Sequence, residues 1–94
     1  MIEIFQHFIK NKNKGGIGVY GVHMPGDSFI TVTTSYCSND DQYNKQVACD
    51  MLRKQFVSEN TIRIPLPSEV NRKSPTHRQI RDTILDIFGS VRYF

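Results

Sequence analysis

The sequence predicts an α+β fold: a small antiparallel sheet of about four strands with two helices on one face, in the order β-β-β-α-β-α. Three observations predict it. A run of β-branched and aromatic residues, Phe29-Ile30-Thr31-Val32-Thr33-Thr34-Ser35-Tyr36, follows the turn signal Met24-Pro25-Gly26-Asp27. Two later stretches carry apolar residues at i, i+4 spacing behind residues that cap helices. The chain has only 94 residues, 38% of them hydrophobic, which suits one domain spanning 1–94 and leaves no room for a second core.

Each element is justified in order. Ile2 to Ile9 reads as a strand, because β-branched and aromatic residues dominate and no cap precedes it. Lys10 to Gly16 reads as a polar turn. Ile17 to His23 is a second strand, weakened by Gly18 and Gly21. Pro25 at i+1 and Gly26 at i+2 suit a type II turn, so strands two and three form a hairpin. Ser38 is the expected cap of the first helix, with Asp41 three residues on to close a capping box and Asp40 beside it to complement the helix dipole. Tyr43, Val47, Met51, Leu52 and Phe56 define its expected buried face, and Lys45, Cys49 and Arg53 form a second stripe at the same spacing. The helix ends at Ser58 to Asn60. Thr61 to Pro67 is extended, and its prolines make it an edge strand or its exit. Ser74-Pro75 opens the second helix, with Thr76 and Gln79 as an alternative cap one turn in; Ile80, Ile84, Ile87 and Phe88 form its apolar stripe, and Gly89 is expected to end it in a left-handed cap. Ser90 to Phe94 is a short apolar tail suited to packing back or pairing with a strand.

Composition narrows the function. Twelve Lys and Arg oppose nine Asp and Glu, a net charge of +3. The uncharged stretch Gly15 to Gly26 is glycine-rich, and no uncharged stretch reaches the ~20 apolar residues a membrane span needs. Met1-Ile2-Glu3 lacks the basic start of a signal peptide, which points to the cytoplasm and to reduced thiols at Cys37 and Cys49. Neither cysteine lies in a C-x-x-C, and His7, His23 and His77 stand at no metal-ligand spacing, so no metal and no cofactor is expected. A catalytic Cys–His pair such as Cys37 with His23 is open from sequence, because such partners meet only in space, but the general expectation is a binding protein and not an enzyme.

Gly16-Ile17-Gly18-Val19-Tyr20-Gly21 matches G-x-G-x-x-G literally, yet it has strand composition where a dinucleotide loop needs a helix N-terminus. Glycines there could instead bare the sheet to a base or another strand. The positives cluster: Lys10, Lys12 and Lys14; Lys45 and Arg53; Arg72, Lys73, Arg78 and Arg81. With Tyr20 as a platform for base stacking, these residues are the expected nucleic-acid site. The region around Ser74, at a helix start among Arg72, Lys73, Arg78 and Arg81, is a natural phosphate seat, although Arg78 can instead pair with Asp82.

Ser35-Tyr36-Cys37-Ser38-Asn39-Asp40-Asp41-Gln42-Tyr43-Asn44-Lys45, a hairpin end followed by C-S-x-x-D-x-Y-x-K, resembles the helix start of small bacteriophage proteins. The resemblance covers about a quarter of the chain, and the helix departs from it at Gln46-Val47-Ala48-Cys49, where a glycine and a basic residue are more usual. In size and basicity the chain is similar to the small RNA-binding phage antagonists of the ToxIN toxin–antitoxin system. The resemblance implies an RNA-binding phage protein that counteracts host defence, and it carries no site residue over. The other readings are an inhibitor that offers a strand edge, such as Thr61 to Leu66, to a host protein, and a sponge that holds a nucleotide signal between protomers. Basic residues on one contiguous face favour RNA; scattered ones favour a protein partner. Bare strand edges and an apolar tail on so small a domain also predict a homo-oligomer.

Overall fold

Strand β2 (Lys14–His23) holds the molecule together, because apart from its first residue it is buried throughout. The structure, a computed structural model, describes residues 1–9 and 14–89. Around β2 lie β1 (Ile2–Ile9), β3 (Phe29–Gln42) and β4 (Ile62–Pro65), giving one antiparallel sheet in the order β1-β2-β3-β4. Helix α1 (Lys45–Val57) joins β3 to β4, and α2 (His77–Phe88) follows β4. The α+β class and the order of elements are those expected. The hairpin is as expected too: Gly26 has φ +94° and the Asp27 N–H donates to the Met24 carbonyl at 3.1 Å. The buried His23 ring ties the turn down through Nε2 to the Asp27 carbonyl oxygen at 2.9 Å.

The helices do not share a face, and this corrects the expected layering. Alternation along β2 shows why. Ile17 and Val19 pack with Ile80, Ile84 and Phe88 of α2, whereas Tyr20 and Val22 pack with Leu52 and Phe56 of α1. Successive strand residues point to opposite sides, so one helix covers each side. The two interior glycines serve one helix each. A Cβ on Gly18 would stand 2.8 Å from the Tyr43 hydroxyl and 3.2 Å from Leu52 Cδ1; one on Gly21 would stand 2.6 Å from Ile84 Cδ1. They admit helices, which is the close approach the sequence left open to a base or a strand.

The first helix starts later than expected. β3 continues through the Ser38 region: its register shifts after Cys37, which faces Gly16, and pairing resumes at Gln42 opposite Lys14, so the backbone there is not yet helical. Asn44 is the cap, its Oδ1 accepting from the Gln46 and Val47 amides at 2.9 and 3.2 Å. Ser38, Asp40 and Asp41 therefore neither cap α1 nor complement its dipole. The buried stripe is also rotated: Ala48 and Leu52 face the sheet, while Val47 and Met51 are exposed. Both are apolar i, i+4 pairs, and the small Ala48 lets the axis come close. In α2 the alternative cap is the one used. Thr76 Oγ1 accepts from the Gln79 amide at 3.1 Å and Gln79 Oε1 accepts from the Thr76 amide at 2.9 Å, a reciprocal capping box. Ser74 is not the cap. Gly89 ends α2 with φ −70°, right-handed and not left-handed. Ile80, Ile84 and Phe88 are buried as expected, and Ile87 is partly exposed.

Candidate functional site

Of the ten residues expected to contact nucleic acid, the eight that are described do not form one surface. Lys10 and Lys12 lie outside the described residues. Tyr20 is 7% exposed: its ring stacks on Phe5 at 4.3 Å, meets Phe56 edge-on, and its hydroxyl donates to Glu3 Oε1 at 2.8 Å. Burial, with the hydrogen bond to Glu3 and its charge, pushes the phenol up to about 12. Tyr20 is thus a core residue and no platform for a base. Lys14, at the start of β2, pairs with Gln42, two residues before the cap of α1. Lys45 and Arg53 lie on the flank of α1 that runs along β1, where the Arg53 guanidinium sits 5.0 Å from the centre of the Phe5 ring.

The other cations are elsewhere. Arg72 is tied to the β2–β3 turn, its carbonyl accepting from the Gly26 amide at 2.9 Å, and Lys73 is its exposed neighbour. Arg78 and Arg81 stand on α2, across the sheet from α1, and both reach Asp82, at 3.9 and 4.0 Å. That is the pairing weighed against the phosphate seat. These contacts are solvent-exposed and contribute about 0–1 kcal/mol each. The Ser74 region loses its claim as the helix start, because Thr76 occupies that role.

Two arrangements stand out that the sequence reading did not assemble. The first is an edge. β4 pairs with β3 only over Phe29–Val32, so among the described residues nothing pairs with Thr34–Cys37 on that side. A cleft of about 230 Å³ flanks this edge on the α1 side, walled by Tyr43, Val47, Ala48 and Met51. A second, of about 290 Å³, flanks it on the α2 side, walled by Ile17, Tyr36, Ile62 and Phe88. Tyr36 is 62% exposed between them. Open β-edges are normally protected by charge, proline or a bulge; Thr34-Ser35-Tyr36-Cys37 carries neither charge nor proline, and the register shift of β3 begins only after Cys37. The uncharged β-branched run was visible in the sequence; the shortness of β4, which leaves it open, was not.

The second is a polar cluster between β1 and α1. His7 Nδ1 lies 2.8 Å from the Tyr43 hydroxyl, and His7 Nε2 lies 3.8 Å from Cys49 Sγ. The tyrosine meets the imidazole edge-on. Burial, and then the charge of Lys45, lower the His7 pKa below its ordinary value, which keeps the ring neutral near pH 7. Burial and the two nearby thiols push Tyr43 up to about 12, so it stays a phenol. Cys37 and Cys49 are both free thiols. The open pairing of Cys37 with His23 does not arise, since His23 holds the hairpin turn and Cys37 donates only to the carbonyls of Ser38, Asp41 and Gln42. Among the described residues no three His, Cys, Asp or Glu side chains gather to hold a metal, and no helix is long and apolar enough to cross a membrane. Comparison with protein families, with curated proteins and with solved structures yields no match to this chain.

Proposed function

We propose that this protein is a protein-binding module that works by strand addition at the open edge of β3. One observation carries the reading: among the described residues nothing pairs with Thr34–Cys37 on its outer side, and the segment lies between two apolar clefts, one above and one below the sheet. An incoming extended segment would use the bare backbone groups for affinity and place successive side chains alternately into the two clefts for specificity. The occupant is therefore an extended stretch of a partner protein with at least two adjacent apolar residues. Asp40 and Asp41, exposed further along β3, favour a basic residue next to that pair.

The dispersal of the cations supports a protein partner over RNA. Lys45 and Arg53 lie on the α1 face, Arg78 and Arg81 on the α2 face, and Arg72 at the hairpin turn, so no single phosphate-tracking stripe forms from them. The test is selection from a displayed library of random linear peptides, followed by binding of the enriched peptides to the wild-type protein and to Tyr36→Lys. Tyr36 is exposed, so the lysine leaves the core intact while protecting the edge. Enrichment of peptides with adjacent apolar residues and a neighbouring base is expected, and Tyr36→Lys should weaken them about tenfold, roughly 1.4 kcal/mol. No enrichment, or binding indifferent to Tyr36→Lys, rejects the reading. Saturable retardation of RNA with a steep salt dependence would put the nucleic-acid reading in its place.

A further inference from the structure

We propose that Cys49 is an exchange-reactive thiol, built to form a mixed disulfide with a small anionic disulfide. Three features converge on its sulfur. His7 Nε2 stands 3.8 Å away and Tyr43 steadies the imidazole from its other nitrogen at 2.8 Å. With hydrogen on Nδ1, the ring donates to the Tyr43 oxygen and turns its Nε2 lone pair toward the thiol. Lys45 and Arg53 are four residues to either side of Cys49, so both share its face of α1. That face runs along β1, as the contacts Cys49–His7 and Arg53–Phe5 show. Among the described residues Lys45 makes no ion pair, whereas Arg53 is shared between Phe5 and Asp50. Cys49 is half-buried, open enough for a small reagent to reach. An imidazole nitrogen within reach of a partly exposed thiol supplies an acceptor for its proton when it attacks.

The second cysteine provides the contrast. The Cys37 thiol lies near the carbonyl oxygens of Ser38, Asp41 and Gln42, and among the described residues no imidazole stands within hydrogen-bond distance of it. Two cysteines in one small chain thus have different neighbours, a base at one and carbonyls at the other. For exchange, the Cys49 proton passes to His7 Nε2, and the thiolate attacks one sulfur of the incoming disulfide. A new S–S bond forms as the old one breaks, and the departing thiolate takes the proton back from His7. One disulfide and one thiol are consumed and one of each is made, so no further oxidant is needed. The flanking cations select a reagent that carries carboxylates.

The experiment uses the whole chain with glutathione disulfide, which is anionic, and cystamine, which is cationic, at equal concentration. Mixed disulfides are quantified by intact mass and assigned by peptide mapping. In the folded protein Cys49 should be modified about tenfold faster than Cys37, and the two should converge in guanidinium. Glutathione disulfide should outpace cystamine at low salt, with the margin narrowing as salt rises. His7→Asn should slow the Cys49 reaction. A folded protein in which Cys37 reacts as fast as Cys49, or in which cystamine matches glutathione disulfide, overturns the proposal. Because these two comparisons use the unmodified sequence, they decide it even if His7→Asn fails to fold.

Discussion

Single residues settle how closely the helices lie on the sheet. Gly21 is the sharpest case, since a Cβ there would stand 2.6 Å from Ile84 Cδ1 and 3.3 Å from Ile30 Cγ2, with both isoleucines fully buried. Gly21→Ala should destabilise the protein by about 1–3 kcal/mol through overpacking, measured by urea unfolding. Gly16→Ala should cost more. Its Cβ would meet the Phe8 carbonyl oxygen at 2.5 Å, a backbone atom with little freedom to move, and its φ of +143° suits glycine. Equal losses at the two sites would contradict the geometry. In the sequence these glycines look like a degenerate phosphate loop or a softened strand. Their purpose depends on what lies above and below β2, which local composition does not contain.

At the scale of an element, the two helix starts teach different lessons. α2 offered two caps, and Thr76 with Gln79 is the pair that closes. Thr76→Ala should therefore lower stability by about 1 kcal/mol, while Ser74→Ala leaves the unfolding midpoint unchanged; the reverse outcome would restore Ser74 as the cap. The α1 start misled because Ser38, Asp40 and Asp41 carry the right residue types at the right spacing. Their backbone lies in β3, within the register shift between Cys37 opposite Gly16 and Gln42 opposite Lys14, so the chain does not turn into the helix until it has passed Gln42. The rotated stripe of α1 follows from the same cause. Val47 with Met51 and Ala48 with Leu52 have equal periodicity, and only the sheet below selects the second pair.

For the whole molecule, the central fact is a sheet covered on both sides. Leu52 in α1 and Ile84 in α2 are each fully buried, on opposite sides of β2. Leu52→Ala should cost about 2–5 kcal/mol and Ile84→Val about 0.5–1.5 kcal/mol. The double variant should lose nearly the sum, because the sheet separates the two cavities. Strong non-additivity in denaturant unfolding would mean that the helices share a single core. Among the described residues, the same two-sided covering disperses the basic side chains over separate surfaces, and β4 pairs with β3 only over Phe29–Val32.

The order of the elements, the Met24–Asp27 turn, the strand at Phe29–Tyr36 and the buried stripe of α2 followed from the sequence alone. Each rests on propensity or periodicity within about a dozen neighbouring residues, and those forces act before any distant contact forms. One further clue was present but local rules did not read it: from Gly15 to His23 every residue is apolar, glycine or tyrosine until the closing histidine, the composition of a strand buried on two faces. Tertiary structure alone decided which side each helix covers, which apolar pair of α1 turns inward, where the cations end up, and that His7 meets Cys49 from 42 positions away. The reason is physical. A helix with an apolar stripe is satisfied by any apolar surface, and with α1 already seated on one side of the sheet, the only large apolar surface left for α2 was the other.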